Sequence, residues 1–91
     1  MNKMDILNKI KSFSINQLNL SLSFEDNVVN FFGEEALDML FDFFNKHNSN
    51  TQFTKENPLF NSELDAIIVF SLHDLGKVYY QMIEDNNKLN N

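Results

Sequence analysis

The sequence predicts an all-α protein, a small four-helix bundle with long loops. Three observations favour this class: one long segment with helical periodicity, several serine-led capping patterns, and only two short strand-like runs. Those runs are residues 18–24 and 66–70, and a lone strand would leave its backbone groups unpaired. An α+β fold with a short strand at 66–70 or 18–24 is the alternative.

Residues 33–47 carry the strongest helix pattern in the chain. Their apolar residues follow the i, i+3, i+4, i+7 spacing of one helical stripe. The stripe consists of Ala36, Leu37, Leu40, Phe41 and Phe44, widened by Met39 and Phe43. Gly33 precedes it, glutamates fill its first turn, and Lys46 and His47 fill its last, which suits the helix dipole. We therefore predict a central helix around which the other segments pack.

Three elements are predicted before this helix: a first helix, a connecting loop and a short second helix. Residues 5–13 predict a first helix by the spacing of their apolar side chains. The alternating run 18–24 predicts an extended loop that presses every second side chain onto the core. Ser23 has the spacing of an N-cap for a short helix that ends at Gly33.

The segments after the central helix are harder to assign. Ser62 has cap spacing and leads into residues 66–70, which we expect to form a short buried helix. Ser71 has the same spacing and predicts the start of a separate final helix. Residues 85–91 are polar and predict a frayed tail. Residues 1–91 together predict a single domain.

Composition limits the possible functions. The chain has no cysteine, which excludes disulfides, thiolate zinc sites and cysteine nucleophiles. His47 and His73 lack partners at metal-ligand spacing, and the adjacent Glu34 and Glu35 would diverge on a helix and could not share a proton. With two glycines, no phosphate-binding loop is possible. We expect no enzymatic activity, no metal and no cofactor.

The negative charge is concentrated in one part of the chain. The formal net charge is −6, and no basic residue lies between Lys11 and Lys46. The acids in that interval are Glu25, Asp26, Glu34, Glu35, Asp38 and Asp42. Such a field repels nucleic acid and anionic lipid and favours a basic partner surface. A merely solvated face is the alternative. With no signal-peptide pattern and no long apolar run, we expect a cytoplasmic protein without membrane attachment.

The segment Gly-Glu-Glu-Ala-Leu-Asp at 33–38 resembles the part of acyl carrier proteins that holds the phosphopantetheine serine, usually Gly-x-Asp-Ser-Leu-Asp. It is more similar still to a family of small uncharacterised bacterial proteins with an acyl-carrier-like fold and a Gly-Asp-Asp-Ala signature. The resemblance implies an acyl-carrier-like bundle. Ala36 stands at the serine position and has no hydroxyl, so no prosthetic group is expected.

Acyl carrier proteins are recognised through the acidic face of this helix, so the resemblance implies partner-binding roles for four residues. They are Glu34, Glu35, Asp38 and Asp42, which helical spacing places opposite the apolar stripe. We expect a non-catalytic protein-interaction module that binds the basic surface of an unidentified protein. One alternative is a small acidic immunity or inhibitor protein that neutralises a toxin or enzyme. Another is an acyl- or lipid-binding protein with a phenylalanine-rich pocket.

Overall fold

The computed structural model describes residues 2–48 and 60–89, and these form an all-α bundle. The elements are α1 (Lys3–Ser12), a 3₁₀ turn (Ile15–Gln17), α2 (Phe24–Phe32), α3 (Glu34–Asn48) and α4 (Glu63–Leu89). The described residues contain no strand, so the all-α prediction is confirmed and neither strand alternative forms.

Helix α1 begins earlier than the sequence predicts because Asn2 caps it. The Asn2 Oδ1 accepts a hydrogen bond from the Asp5 backbone N–H at 2.9 Å. This contact satisfies one of the backbone donors at the helix start. Ile6 and Leu7 point into the core.

The run 18–24 is a loop as predicted, but it is not extended throughout: the Leu22 N–H donates to the Asn19 oxygen in a turn, and Phe24 already begins α2. A buried asparagine of α2 anchors the loop. Asn27 is 1% exposed. Its Oδ1 accepts from the Asn19 N–H at 2.8 Å, and its Nδ2 donates to the carbonyl oxygens of Asn19 at 2.9 Å and Ser23 at 2.8 Å. Leu18 and Phe24, at the two ends of the run, are buried. The loop is thus fastened to α2 by both polar and apolar contacts.

Helices α2 and α3 are joined by a single residue, Gly33. The Ser23 Oγ caps α2 by accepting from the Asp26 N–H at 3.0 Å, as predicted. At the other end, Gly33 has a φ of +96° and donates its N–H to the Val29 oxygen at 3.0 Å. This backbone conformation is one that residues with a Cβ rarely adopt. It ends α2 and allows α3 to begin at the next residue.

Helix α3 confirms the predicted central helix, but only part of the predicted apolar stripe is buried. Ala36 and Leu40 are buried, whereas Phe44 is half-buried and Phe41 is 44% exposed. Aromatic contacts join α3 to α4: Phe44 lies against His73 with ring centroids 6.0 Å apart. The buried edge of α3 is therefore narrower than the sequence predicts, and its phenylalanines face the border with α4.

Helix α4 is one continuous helix of 27 residues, which corrects two predictions. Ser62 caps it, since its Oγ accepts from the Asp65 N–H at 3.2 Å. Ser71 lies inside the helix and starts no separate one. The frayed tail predicted at 85–91 is wrong for residues 85–89, which are helical with exposed side chains, while 90–91 lie outside the described residues.

The physical reason for the continuity is burial on one face of α4. The buried positions follow helical spacing straight through Ser71; they are Asp65, Ile68, Val69, Leu72, Gly76 and Tyr79. A break at Ser71 would move half of this stripe off the core, and a local cap contributes only about 1 kcal/mol against that loss. The stripe packs on a core that includes Ile6, Val28 and Phe32.

Candidate functional site

The four acidic residues expected to bind a partner form one exposed surface on α3, here called the acidic face: Glu34, Glu35, Asp38 and Asp42. All four side chains are exposed, on the side of α3 away from the buried Ala36 and Leu40. The four acids therefore lie on the predicted helix, and their side chains are exposed as the sequence predicts. Whether they bind a partner stays a prediction.

Two lysines border one edge of the acidic face. The Nζ of Lys46 lies 3.2 Å from Oδ2 of Asp42, one turn away on α3. The Nζ of Lys3, on α1, lies 2.8 Å from Oδ1 of the nearly buried Asp65 of α4. The hydrogen bond to Asp65 raises the pKa of Lys3, desolvation opposes this, and the charges of Asp65 and Glu35 add to the rise. Lys3, Lys46 and three members of the acidic face line one cleft of about 250 Å³. The negative charge of the acidic face is thus partly balanced by Lys3 and Lys46 along this edge.

The opposite edge of the acidic face has no such balance. Within residues 2–48 and 60–89, no lysine forms an ion pair with Glu34, on this edge, or with Asp38, which lies between the two edges. The residue next to them on the helix surface is the exposed Phe41, one turn beyond Asp38. Negative charge and apolar surface therefore meet along this edge of α3.

Ala36, at the position of the phosphopantetheine serine in the resemblance, is fully buried at 0% exposure. A hydroxyl at this position would lie in the core and could not be reached by a modifying enzyme. The absence of a prosthetic group at this residue stays a prediction.

A groove that the sequence did not predict lies beside the acidic face. It encloses about 430 Å³ between α3, α4 and the start of α2. We call it the aromatic groove and define it by Phe24, Leu40, Phe41, Phe44, Gly76 and Tyr80. Phe41 and Tyr80 are 44% and 57% exposed. Large apolar surfaces left open in this way are typical of binding surfaces.

Gly76 shapes the floor of the aromatic groove. A Cβ at this position would lie 3.2 Å from Cε2 of Phe24, closer than ordinary carbon contacts. The absence of a side chain thus lets the Phe24 ring rest directly on α4. Tyr79, on the neighbouring position of α4, donates its hydroxyl to the Leu22 carbonyl and holds the preceding loop in place.

Acidic groups also lie at one end of the groove. Glu25 and Glu84 are among its lining residues, and so is Lys77, which lies 4.0 Å from Asp74. The pKa of Tyr80 is raised, first by partial burial and then by the negative charge of Glu25. A tyrosine phenol is neutral at neutral pH, so the Tyr80 hydroxyl can donate a hydrogen bond within the groove.

One pattern in the sequence indicates the groove in retrospect. The residues His73, Lys77, Tyr80 and Glu84 all line the groove and are spaced three and four apart, a second stripe of α4 beside the one that faces the core. The apolar stripe of α3, taken alone, predicts that Phe41 and Phe44 lie in the core. No pattern within one helix shows that three helices border the same opening.

The described residues show no grouping suited to catalysis with a metal. Across residues 2–48 and 60–89, no three His, Asp or Glu side chains converge to form a metal site. In the same ranges, no helix combines the length and apolar character needed to cross a membrane.

Comparisons with protein-family models, with curated proteins and with solved structures found no match. The resemblance to acyl carrier proteins therefore stays a prediction.

Proposed function

We propose that the protein is a non-catalytic protein-binding module whose acidic face docks on a basic surface of its partner. The observation that carries the proposal is the exposure of all four carboxylates on one side of a single helix. Helix α3 is fixed to the core by Ala36 and Leu40, so the backbone positions that carry the four carboxylates keep a constant mutual arrangement. A partner with matching lysines or arginines meets them without reordering the helix.

The expected energy of such docking is modest for each contact. Exposed ion pairs contribute about 0.2–1 kcal/mol apiece, so four contacts give about 1–4 kcal/mol. Charges of one sign on one face also raise the association rate, and this effect weakens as salt is added. A docking role therefore predicts strong salt dependence, whereas a merely solvated face predicts none.

An acyl- or lipid-binding role receives less support. The groove is open to the surface, and Glu25 and Glu84 at its end would repel a fatty carboxylate or an anionic headgroup. The long hydrophobic side chains at the centre of the bundle, such as Phe32 and Ile68, are fully buried against one another. These features favour a protein partner with basic residues.

The proposal is tested with two charge-reversal variants of equal size. In the first, the acidic face is replaced by four lysines. In the control, four exposed acids outside α3 become lysine: Asp5, Asp26, Glu63 and Asp85. Partners captured from the native host are identified by mass spectrometry, purified, and titrated against both variants over a range of salt concentrations.

We expect the first variant to lose at least about tenfold in affinity at low salt, and the control to stay near the parent. Both variants place lysine in first turns of helices, so losses of helix stability are similar and are measured by thermal denaturation. Equal binding by parent and first variant at low salt would show that the acidic face is only solvated.

A further inference from the structure

We propose that the aromatic groove binds an amphipathic helix of the partner, with basic residues beside its apolar stripe; this rests on the proposed function and names the docking element. The groove and the acidic face share one edge of α3, where Phe41 lies between them. A single partner helix can thus bury apolar side chains in the groove and direct cations at the carboxylates.

The lining of the groove suits apolar anchors. Phe24, Leu40 and Phe44 form its walls, while Phe41 and Tyr80 extend from its borders with 44% and 57% of their surface exposed. Aromatic side chains at the centre of an interface supply much of its binding energy. Burial of the Phe41 and Tyr80 rings by a partner removes apolar surface that the isolated chain leaves in water.

The dimensions of the groove suit a short helix. His73 and Glu84 both line it and are three turns apart on α4, a length of about 16 Å. A helix of about three turns has the same length and presents anchors at i, i+3 or i+4, and i+7. A partner helix lying alongside α4 therefore fills the opening from end to end.

The charges around the groove select a basic partner. Glu25 and Glu84 line one end, and Glu34 and Asp38 precede Phe41 on the α3 border. Lys77 is the lysine among the lining residues, and Asp74 lies 4.0 Å from it. A second copy of this chain would bring the same acids to the contact, so self-association is disfavoured.

The test uses a synthetic probe, a capped peptide of about 14 residues designed to be helical, with leucines at i, i+3, i+7 and lysines on both flanks. Two control peptides replace either all lysines by glutamate or all leucines by alanine. Binding to the full chain is measured by fluorescence polarisation at low and moderate salt. We expect the parent peptide to bind with a micromolar Kd and each control peptide at least about tenfold more weakly.

The groove itself is tested by replacing two exposed rings. The variant Phe41→Ser with Tyr80→Ser should bind the parent peptide at least about tenfold more weakly while the acidic face stays intact. Ile67→Ser is the matched control, since Ile67 is 45% exposed on α4 and does not line the groove. Circular dichroism confirms that both variants remain helical.

The outcomes separate this inference from the proposed function. If the double variant binds the lysine peptide as the parent does, while reversal of the acidic face abolishes binding, the groove is not the docking element and the acidic module stands. If neither change alters binding of the lysine peptide, the inference is wrong, and the acidic module is then decided by the titration of the captured partner. The inference would also be overturned if the peptide with glutamate flanks bound as well as the lysine peptide. Concentration-dependent dimers of the chain in sedimentation would overturn it too.

Discussion

The buried Asn27 allows a sharp test of how the loop before α2 is held. Its amide makes three hydrogen bonds, at 2.8, 2.9 and 2.8 Å, to backbone groups of Asn19 and Ser23. Asn27→Ala removes all three. The Ser23 oxygen keeps a second donor, the Asn27 backbone N–H at 3.1 Å, and Asn19 is exposed, so water can reach its freed groups.

These details set the expected loss of stability. A typical hydrogen bond contributes a net of about 0.5–1.5 kcal/mol to the free energy of unfolding. Because water can replace part of the three lost bonds, we expect Asn27→Ala to lower this free energy by about 2 kcal/mol. Domains of this kind unfold with about 5–15 kcal/mol, so the loss is a substantial fraction. In urea it corresponds to a midpoint shift of about 1 M.

Urea denaturation followed by circular dichroism measures the effect, with Asn30→Ala as control because Asn30 is an exposed asparagine on the same helix. The control should stay within about 0.5 kcal/mol of the parent. Hydrogen exchange gives a local readout, since the Asn19 amide should lose protection in Asn27→Ala. Equal stabilities of the two variants, or an Asn19 amide that stays protected, would refute the role of this anchor.

A third substitution adds a pH dependence with a definite sign. Asn27→Asp retains an acceptor for Asn19 but turns a carboxylate oxygen toward the carbonyls of Asn19 and Ser23. Burial and these oxygens raise the pKa of the new carboxyl in the folded state above its unfolded value. The variant should therefore be least stable at neutral pH and approach the parent as the pH falls and the carboxyl is protonated.

Two other substitutions test the backbone and the buried alanine of α3. Gly33→Ala should lower the unfolding free energy by about 1–3 kcal/mol, because its φ of +96° disfavours a Cβ although nothing lies within 4 Å of it; unchanged thermal stability would contradict this. Ala36→Ser should lose about 1–3 kcal/mol by placing a hydroxyl in the core, and intact mass spectrometry after expression with a phosphopantetheinyl transferase should show no added group. A gain of one phosphopantetheine mass by the Ala36→Ser variant would show that the position is accessible.

Local patterns explain the parts of the fold that the sequence predicted correctly. Helix α3 has apolar periodicity, charges matched to the dipole, and Gly33 before it, and these signals agree. The cap at Ser23 is also local, since its Oγ accepts from the N–H of Asp26, three residues further on. The exposure of the acidic face followed from the same periodicity, whereas its partner-binding role is implied by the resemblance to acyl carrier proteins and stays a prediction.

The errors arose where distant segments decide the outcome. The capping pattern at Ser71 was outweighed by a stripe of α4 that is buried against three other helices. The tail predicted at 85–91 is an error of a different kind, because its signal is local. Two i,i+4 pairs, Gln81 with Asp85 at 3.0 Å and Glu84 with Lys88 at 3.4 Å, support an exposed helix up to residue 89. The aromatic groove and the Asn27 anchor require three-dimensional proximity and leave little trace in one segment.

The one-residue junction at Gly33 has a consequence for how the groove recognises a ligand. Phe24 stands at the start of α2 and Phe41 on α3, and the two helices are separated by Gly33 alone. Phe32 and Ala36, on either side of that junction, are buried, so α2 and α3 cannot turn independently without exposing core. The walls of the groove are therefore preorganised. An incoming helix loses its own freedom on binding, but it does not have to order its receptor, so discrimination between helices depends on how well their side chains match a fixed shape.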